Sequence, residues 1–130
     1  GGTPGIPLAI ALPEKKFYLI EATQKKASFL DETVRTLKLD NVEIICERGE
    51  SVTNLSADTV IARAFGTLNY LVTTSRHMVP KGGLFLAMKG KINPDEIKGL
   101  ISSFRVLQIQ EIEVPYLEAT RHFVFIKKHR

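Results

Sequence analysis

Glycines set immediately before an apolar helix, with an acidic residue following at the end of the next strand, are the residue types with which a chain holds a nucleoside cofactor. The first stretch of this chain has that form: Gly1-Gly2-Thr3-Pro4-Gly5 runs straight into Ile6-Pro7-Leu8-Ala9-Ile10-Ala11. Glycine lets the backbone approach a ligand closely, and the unpaired N–H groups that open a helix meet a polar or anionic group there. Further on, at the end of the strand-like run Phe17-Tyr18-Leu19-Ile20, Glu21 is placed to accept hydrogen bonds from ribose hydroxyls. Glycine before a helix also describes an ordinary turn, and an acid after a strand also describes a solvated loop, so both readings stand at this level.

The elements that must position these residues follow from periodicity. Residues 5–12 read as a short helix closed by Pro13, apolar nearly all round and so expected to lie buried against a sheet. Residues 17–20 form a continuous apolar run, the pattern of a strand covered on both faces. From 23 to about 39, Ala27, Phe29, Leu30, Val34 and Leu37 recur at helical spacing between charged residues. Asp40-Asn41 then turns the chain into a second apolar run, 42–46. Strand, helix, strand forces parallel pairing with a right-handed crossover.

A short irregular or helical piece over 51–56 leads to a strand at 59–62 and a helix from Phe65 to about His77. Pro80-Lys81-Gly82-Gly83 breaks that helix before the strand 84–88. Asn93-Pro94-Asp95-Glu96 is a helix start: a capping side chain, a proline suited to the first turn and two acids that complement the dipole. The chain ends differently, with strand-like runs at 106–114 and 122–126 separated by too few residues for a crossover helix, so the last two strands must be antiparallel.

Composition sets the class. With 44% hydrophobic and 25% charged residues and no repeat, the 130 residues describe one globular domain able to bury a core without disulfides. No apolar run approaches the roughly 20 residues of a membrane span, and no leader with a cleavage site is visible. A soluble protein of the reducing cytoplasm is expected, and the single Cys46, inside an apolar run, is expected as a small core residue. The net charge of +4 and pI near 9.3 lean towards a polyanionic partner such as RNA. Much of the excess sits in the tail Lys127-Lys128-His129-Arg130, which as easily keeps a chain end solvated.

Six short stretches, in order and over essentially the whole chain, resemble the methyltransferase domain of the RsmG (GidB) family. They are residues 4–10; Lys25-Lys26 with Phe29-Leu30; Arg48-Gly49-Glu50; Arg63-Ala64-Phe65; Ala87-Met88-Lys89-Gly90; and Val114-Pro115 followed by Arg121-His122. A parallel sheet finished by an antiparallel pair agrees with such an enzyme and disfavours a dinucleotide dehydrogenase. The resemblance implies a Rossmann-like α/β fold dependent on S-adenosylmethionine. It also implies methyl transfer to N7 of a guanine in bacterial 16S ribosomal RNA, with that RNA or the small ribosomal subunit as partner. Family members begin with a helical region, a first strand and a longer glycine-rich loop. Residues 1–130 are therefore expected as a single methyltransferase domain shortened at its N-terminus, without the first central strand. The open sheet edges would then invite pairing with another chain. A catalytically inactive RNA- or ribosome-binding chain of the same fold is the alternative.

The resemblance also assigns roles. Gly2, Thr3 and Gly5 would face the methionine portion of the cofactor, Glu21 the ribose, and Arg48, Gly49 and Glu50 the adenine side, with Arg63 a cofactor or RNA contact. Lys89, with Gly90-Lys91, suits phosphate contacts, and Arg121 lies on the substrate side, so Arg63, Lys89 and Arg121 are the candidates for positioning substrate. Each has a plain counterpart: a salt bridge for Arg63, a solvated turn for Lys89, a structural histidine for His122 beside Arg121. No catalytic base is evident and none is needed, because guanine N7 carries an available lone pair; alignment and electrostatics then carry the rate. No metal-ligand spacing is visible, since His77, His122 and His129 are scattered.

Overall fold

The first helix, α1 (Gly5–Ala11), ends two residues before Pro13, and the amide of Leu12 closes it on Leu8 O. The computed structural model describes residues 4–63, 66–114 and 119–130, in two compact units that meet in sequence between Val52 and Thr53. In the first unit, α1 is not buried all round as expected: Ala9 is covered while Ile10 stays 54% exposed. A helix of two turns touching one strand can cover only one stripe of its surface.

That strand is β1 (Phe17–Ile20), which pairs in parallel with β2 (Val42–Ile45), Phe17 opposite Val42 and Ile20 opposite Ile45. Every β1 residue is half-buried. The crossover between them is α2 (Gln24–Thr36), which turns Ala27 and Leu30 inward and leaves Phe29 exposed. It stops short of the expected end near Leu39 because Lys38 adopts φ 55°. The Lys38 amide then bonds Arg35 O and the Leu39 amide bonds Val34 O, the paired bonds of a Schellman C-cap with lysine in the seat glycine favours.

Asn41 does more than turn the chain. Its buried side-chain amide donates to Ala9 O, Leu12 O and Lys15 O at 2.9–3.2 Å, supplying a donor at the carbonyl end of α1 and joining the Lys15 amide on Leu12 O. Its own carbonyl accepts from Phe17 N, so one residue fastens helix end and strand start together.

The second unit is a four-stranded sheet in the order β3 (Thr59–Arg63), β4 (Leu84–Lys89), β6 (Ala119–Lys128), β5 (Phe104–Val114). β3 and β4 are parallel, while β6 is antiparallel to both its neighbours, as the short final connection requires. A bulge at Leu107 shifts the β5 register between Val106 and Gln108. Two helices complete the unit, α3 (Leu68–Ser75), extended by a 3-10 turn over Arg76–Met78, and α4 (Pro94–Lys98). The helix expected from Phe65 starts instead at Leu68, with Thr67 Oγ1 accepting from Tyr70 N as its cap; Phe65 itself lies outside the described residues.

The core of this unit is Leu68 and Val72 of α3 against Phe85 and Ala87 of β4, Phe104 of β5 and Val124 and Ile126 of β6. Phe85 and Phe104 meet edge to face, ring centroids 5.5 Å apart. The break at Pro80–Gly83 is a tight turn closed by Gly83 N on Pro80 O, with Gly82 at φ 91° supplying the left-handed position. Cys46, expected in the core, is exposed: β2 ends at Ile45, so the residue falls beyond the pairing that would have covered it.

Candidate functional site

In the first unit the candidate residues gather where the parallel strands end. The Glu21 amide continues the β1–β2 ladder by donating to Ile45 O at 3.0 Å, which sets Glu21 beside Cys46 at the carboxyl edge. This is the edge where ligands of open α/β sheets collect. The Glu21 carboxylate is half-buried and accepts the Thr23 N–H at 3.2 Å, which holds the turn into α2. Cys46 Sγ donates to Gln24 Oε1 at 3.4 Å, tying the end of β2 to the first turn of the same helix.

Arg48 stands before a 3-10 turn over Gly49–Ser51; its carbonyl accepts Ser51 N and Gly49 O accepts Val52 N. The side chains of Arg48 and Glu50 are exposed. Gly5 is the first residue of α1, and a Cβ there would collide with the Leu19 side chain, so this glycine lets α1 sit directly on β1. Close helix–strand packing is one of the functions of glycine in a dinucleotide loop. Gly2 and Thr3 lie outside the described residues.

In the second unit Arg63 closes β3 and Lys89 closes β4 at the corresponding edge. Arg63 is exposed. Lys89, expected to reach for phosphate, points inward: alternation along β4 puts it on the same face as Phe85 and Ala87, and only 7% of its side chain is exposed. Its ammonium donates to Gly66 O and to Glu96 Oε1, each at 2.7 Å. The exposed cation of that turn is Lys91.

Glu96, read in the sequence only as a complement to the α4 dipole, is the hub. Oε1 accepts from Lys89 Nζ and from Leu68 N, which opens α3, and Oε2 accepts from Asn93 N. With Asn93 capping in return, this is a full capping box. Burial pushes the Glu96 carboxyl up, but the Lys89 hydrogen bond, the Asn93 N–H, the Lys89 charge and the Leu68 N–H together hold it below the ordinary glutamate value of 4.5. The sequence signal available was the S/T/N-x-x-E spacing itself; nothing local announces that the same carboxylate reaches Lys89 and Leu68.

Beyond Lys89, His122 Nδ1 meets Gly90 O at 2.6 Å, and because a carbonyl only accepts, Nδ1 carries the proton. A Cβ on Gly90 would stand 3.5 Å from Arg121 Nη1, which places the guanidinium over the same turn. A shallow cleft of about 380 Å³ lined by Thr67, Asn69, Asn93, Asp95, Glu96 and Gly99 opens beside the network. Among the described residues no group of His, Cys, Asp and Glu could hold a metal ion, and no helix is long and apolar enough to cross a membrane.

Comparison with known structures gives the class. The chain superposes on M. jannaschii TYW2, solved in complex with AdoMet, with a TM-score of 0.70 at 20% identity, covering 95% of this chain and 61% of that one. The fold is the Rossmann-like α/β fold of S-adenosylmethionine-dependent methyltransferases, parallel strands with an antiparallel finish. Residues 1–124 match the family model of rRNA small subunit methyltransferase G, and the chain belongs to that family.

Among curated relatives, Ribosomal RNA small subunit methyltransferase G of Actinobacillus succinogenes is 41% identical over 127 residues, 97% of this chain and 60% of that protein. The protein of the same name from Neisseria meningitidis serogroup B is 40% identical over 128 residues, 98% of this chain and 62% of that protein. The chain thus spans about three fifths of the length of these relatives.

Proposed function

We propose that this chain is the methyltransferase domain of an enzyme that transfers a methyl group from S-adenosylmethionine to N7 of a guanine in 16S ribosomal RNA. The observation that carries the reading is the place of Glu21: a half-buried carboxylate at the carboxyl end of a parallel strand, in a chain that matches the methyltransferase G family along almost its whole length.

The residues present fit the donor. A carboxylate takes hydroxyl hydrogens, and Glu21 stands where a ribose diol would meet it. Gly5 has its Cβ space filled by Leu19, which brings the start of α1 down onto β1, and the turn Arg48-Gly49-Glu50 follows β2, where the family resemblance puts the adenine. S-adenosylmethionine, when bound, supplies an electrophilic methyl on a sulfonium.

The remaining work belongs to the chain. Guanine N7 attacks without first losing a proton, so no side chain has to act as a base, and the protein contributes alignment and charge. Arg63 and Arg121 are placed to address the RNA backbone or the guanine O6 edge, with Lys89 fixing the turn between them from inside. The net positive charge favours such a partner. The catalytically inactive alternative has no observation in its favour.

Calorimetric titration with S-adenosylmethionine tests the reading, on this chain and on the same residues carried in the corresponding segment of the Actinobacillus succinogenes relative. Saturable binding that Glu21→Ala weakens by about tenfold, the loss of roughly one charge-assisted hydrogen bond, is expected. So is labelled methyl transfer to 16S RNA, with chain cleavage specific for N7-methylguanine. Absence of donor binding in both proteins overturns it.

A further inference from the structure

The Lys89–Glu96 ion pair is buried, yet Lys89 runs straight into the Gly90 turn, which Arg121 approaches and the exposed Lys91 follows, at the carboxyl edge of the second sheet. Glu96 joins three separate segments: Lys89 at the end of β4, Leu68 at the start of α3 and Asn93 at the start of α4. Lys89 adds a fourth by holding Gly66 O, in the connection that follows Arg63. The next residue after Lys89, Gly90, carries the carbonyl that His122 grips, and Arg121 leans over it. Lys91 follows at once on the same turn.

The pair also cancels its own charge, so the positive field around the Gly90 turn comes from Lys91 and Arg121 while Lys89 acts as an internal tie. We propose that Glu96 is a positioning residue for RNA, whose carboxylate locks the Gly90 turn to the starts of α3 and α4 and so fixes the spacing at which Lys91 and Arg121 meet successive phosphates. This rests on the reading of the edge as the RNA side of a methyltransferase. Removing the carboxylate charge leaves Lys89 held by Gly66 O alone and unties the end of β4, which carries the Gly90 turn, from the starts of α3 and α4, and the two cations then no longer act as a set.

The test is fluorescence anisotropy of this chain with a 16S RNA fragment across a salt series. Glu96→Gln is expected to weaken RNA binding by about tenfold and to lower the slope of log affinity against log salt by about one to two ions. Donor affinity should stay within about twofold. Val72→Ala, which opens the same unit's core without touching the network, controls for lost stability and should leave the slope unchanged.

A double-mutant cycle adds the readout a structural role would not move: Lys91→Ala should weaken binding in the parent chain and have little further effect in Glu96→Gln. Additive losses, an unchanged slope in Glu96→Gln, or the same slope change in Val72→Ala would each overturn the positioning role while leaving donor binding and methyl transfer intact. If the unsubstituted chain binds donor but no RNA, the positioning role falls alone; if it binds neither, the methyltransferase reading falls with it.

Discussion

Lys89 Nζ lies 2.7 Å from Glu96 Oε1, with 7% and 10% of the two side chains exposed, so each charge has the other as its counter-ion away from water. Breaking such a pair from one side leaves a buried charge uncompensated, which costs about 3–5 kcal/mol. Glu96→Ala should therefore lower the unfolding free energy of this chain by that order in urea titration, and a loss below about 1 kcal/mol would mean that the pair is solvated in solution.

The same carboxylate makes a signed prediction for pH. Its folded value is held below 4.5, so between the two values the unfolded chain binds more protons and stability rises with pH. The contribution is complete above the unfolded value and is lost as pH falls through the lowered folded value. Thermal melts of the parent chain should drop in midpoint as pH is taken below the ordinary carboxylate range, and Glu96→Gln should flatten that part of the profile. An unchanged slope would show that other acids control it.

Lys38 occupies a left-handed position, φ 55°, at the Schellman cap that ends α2. A side chain there costs roughly 1–2 kcal/mol relative to the right-handed region, and glycine avoids it. Lys38 is exposed, so Lys38→Gly should raise stability by about 0.5–1 kcal/mol. Denaturant midpoints for the two proteins decide it; a loss would mean the lysine stem packs on the helix end.

These relationships mark what was legible in the sequence. The bounds of strand β1, the helix start at Asn93 and the antiparallel finish implied by the length of the last connection are all legible, because each depends on neighbours within a few positions. The match of motifs likewise gave the family and the fold. Lys89 reads locally as part of a basic cluster with Lys91 suited to phosphate, although its two-residue spacing from Ala87 and from there to Phe85 already puts it on the core face. Locally Glu96 reads only as an acid that complements the α4 dipole and not as a counter-ion, since its reach to Lys89 and Leu68 is made by tertiary packing. The apolar runs around Cys46 and Ile10 predict burial for both, but burial depends on what the rest of the molecule brings against them, and both are exposed.

Asn41 gives the last prediction. Its side-chain amide donates to Ala9 O, Leu12 O and Lys15 O, of which Leu12 O also accepts the Lys15 amide. Asn41→Ala leaves Ala9 O and Lys15 O without that donor in a largely covered position and should cost about 1–3 kcal/mol. Asn41→Asp keeps the volume but turns an acceptor-only carboxylate towards three oxygens, so it should cost more than alanine at neutral pH. Lowering the pH supplies a proton that can donate again, and the aspartate variant should then recover towards the alanine one. Urea titrations of the three proteins at pH 7 and pH 4 read this order directly. An aspartate variant as stable as the parent at pH 7 would show that water, not Asn41, satisfies the end of α1.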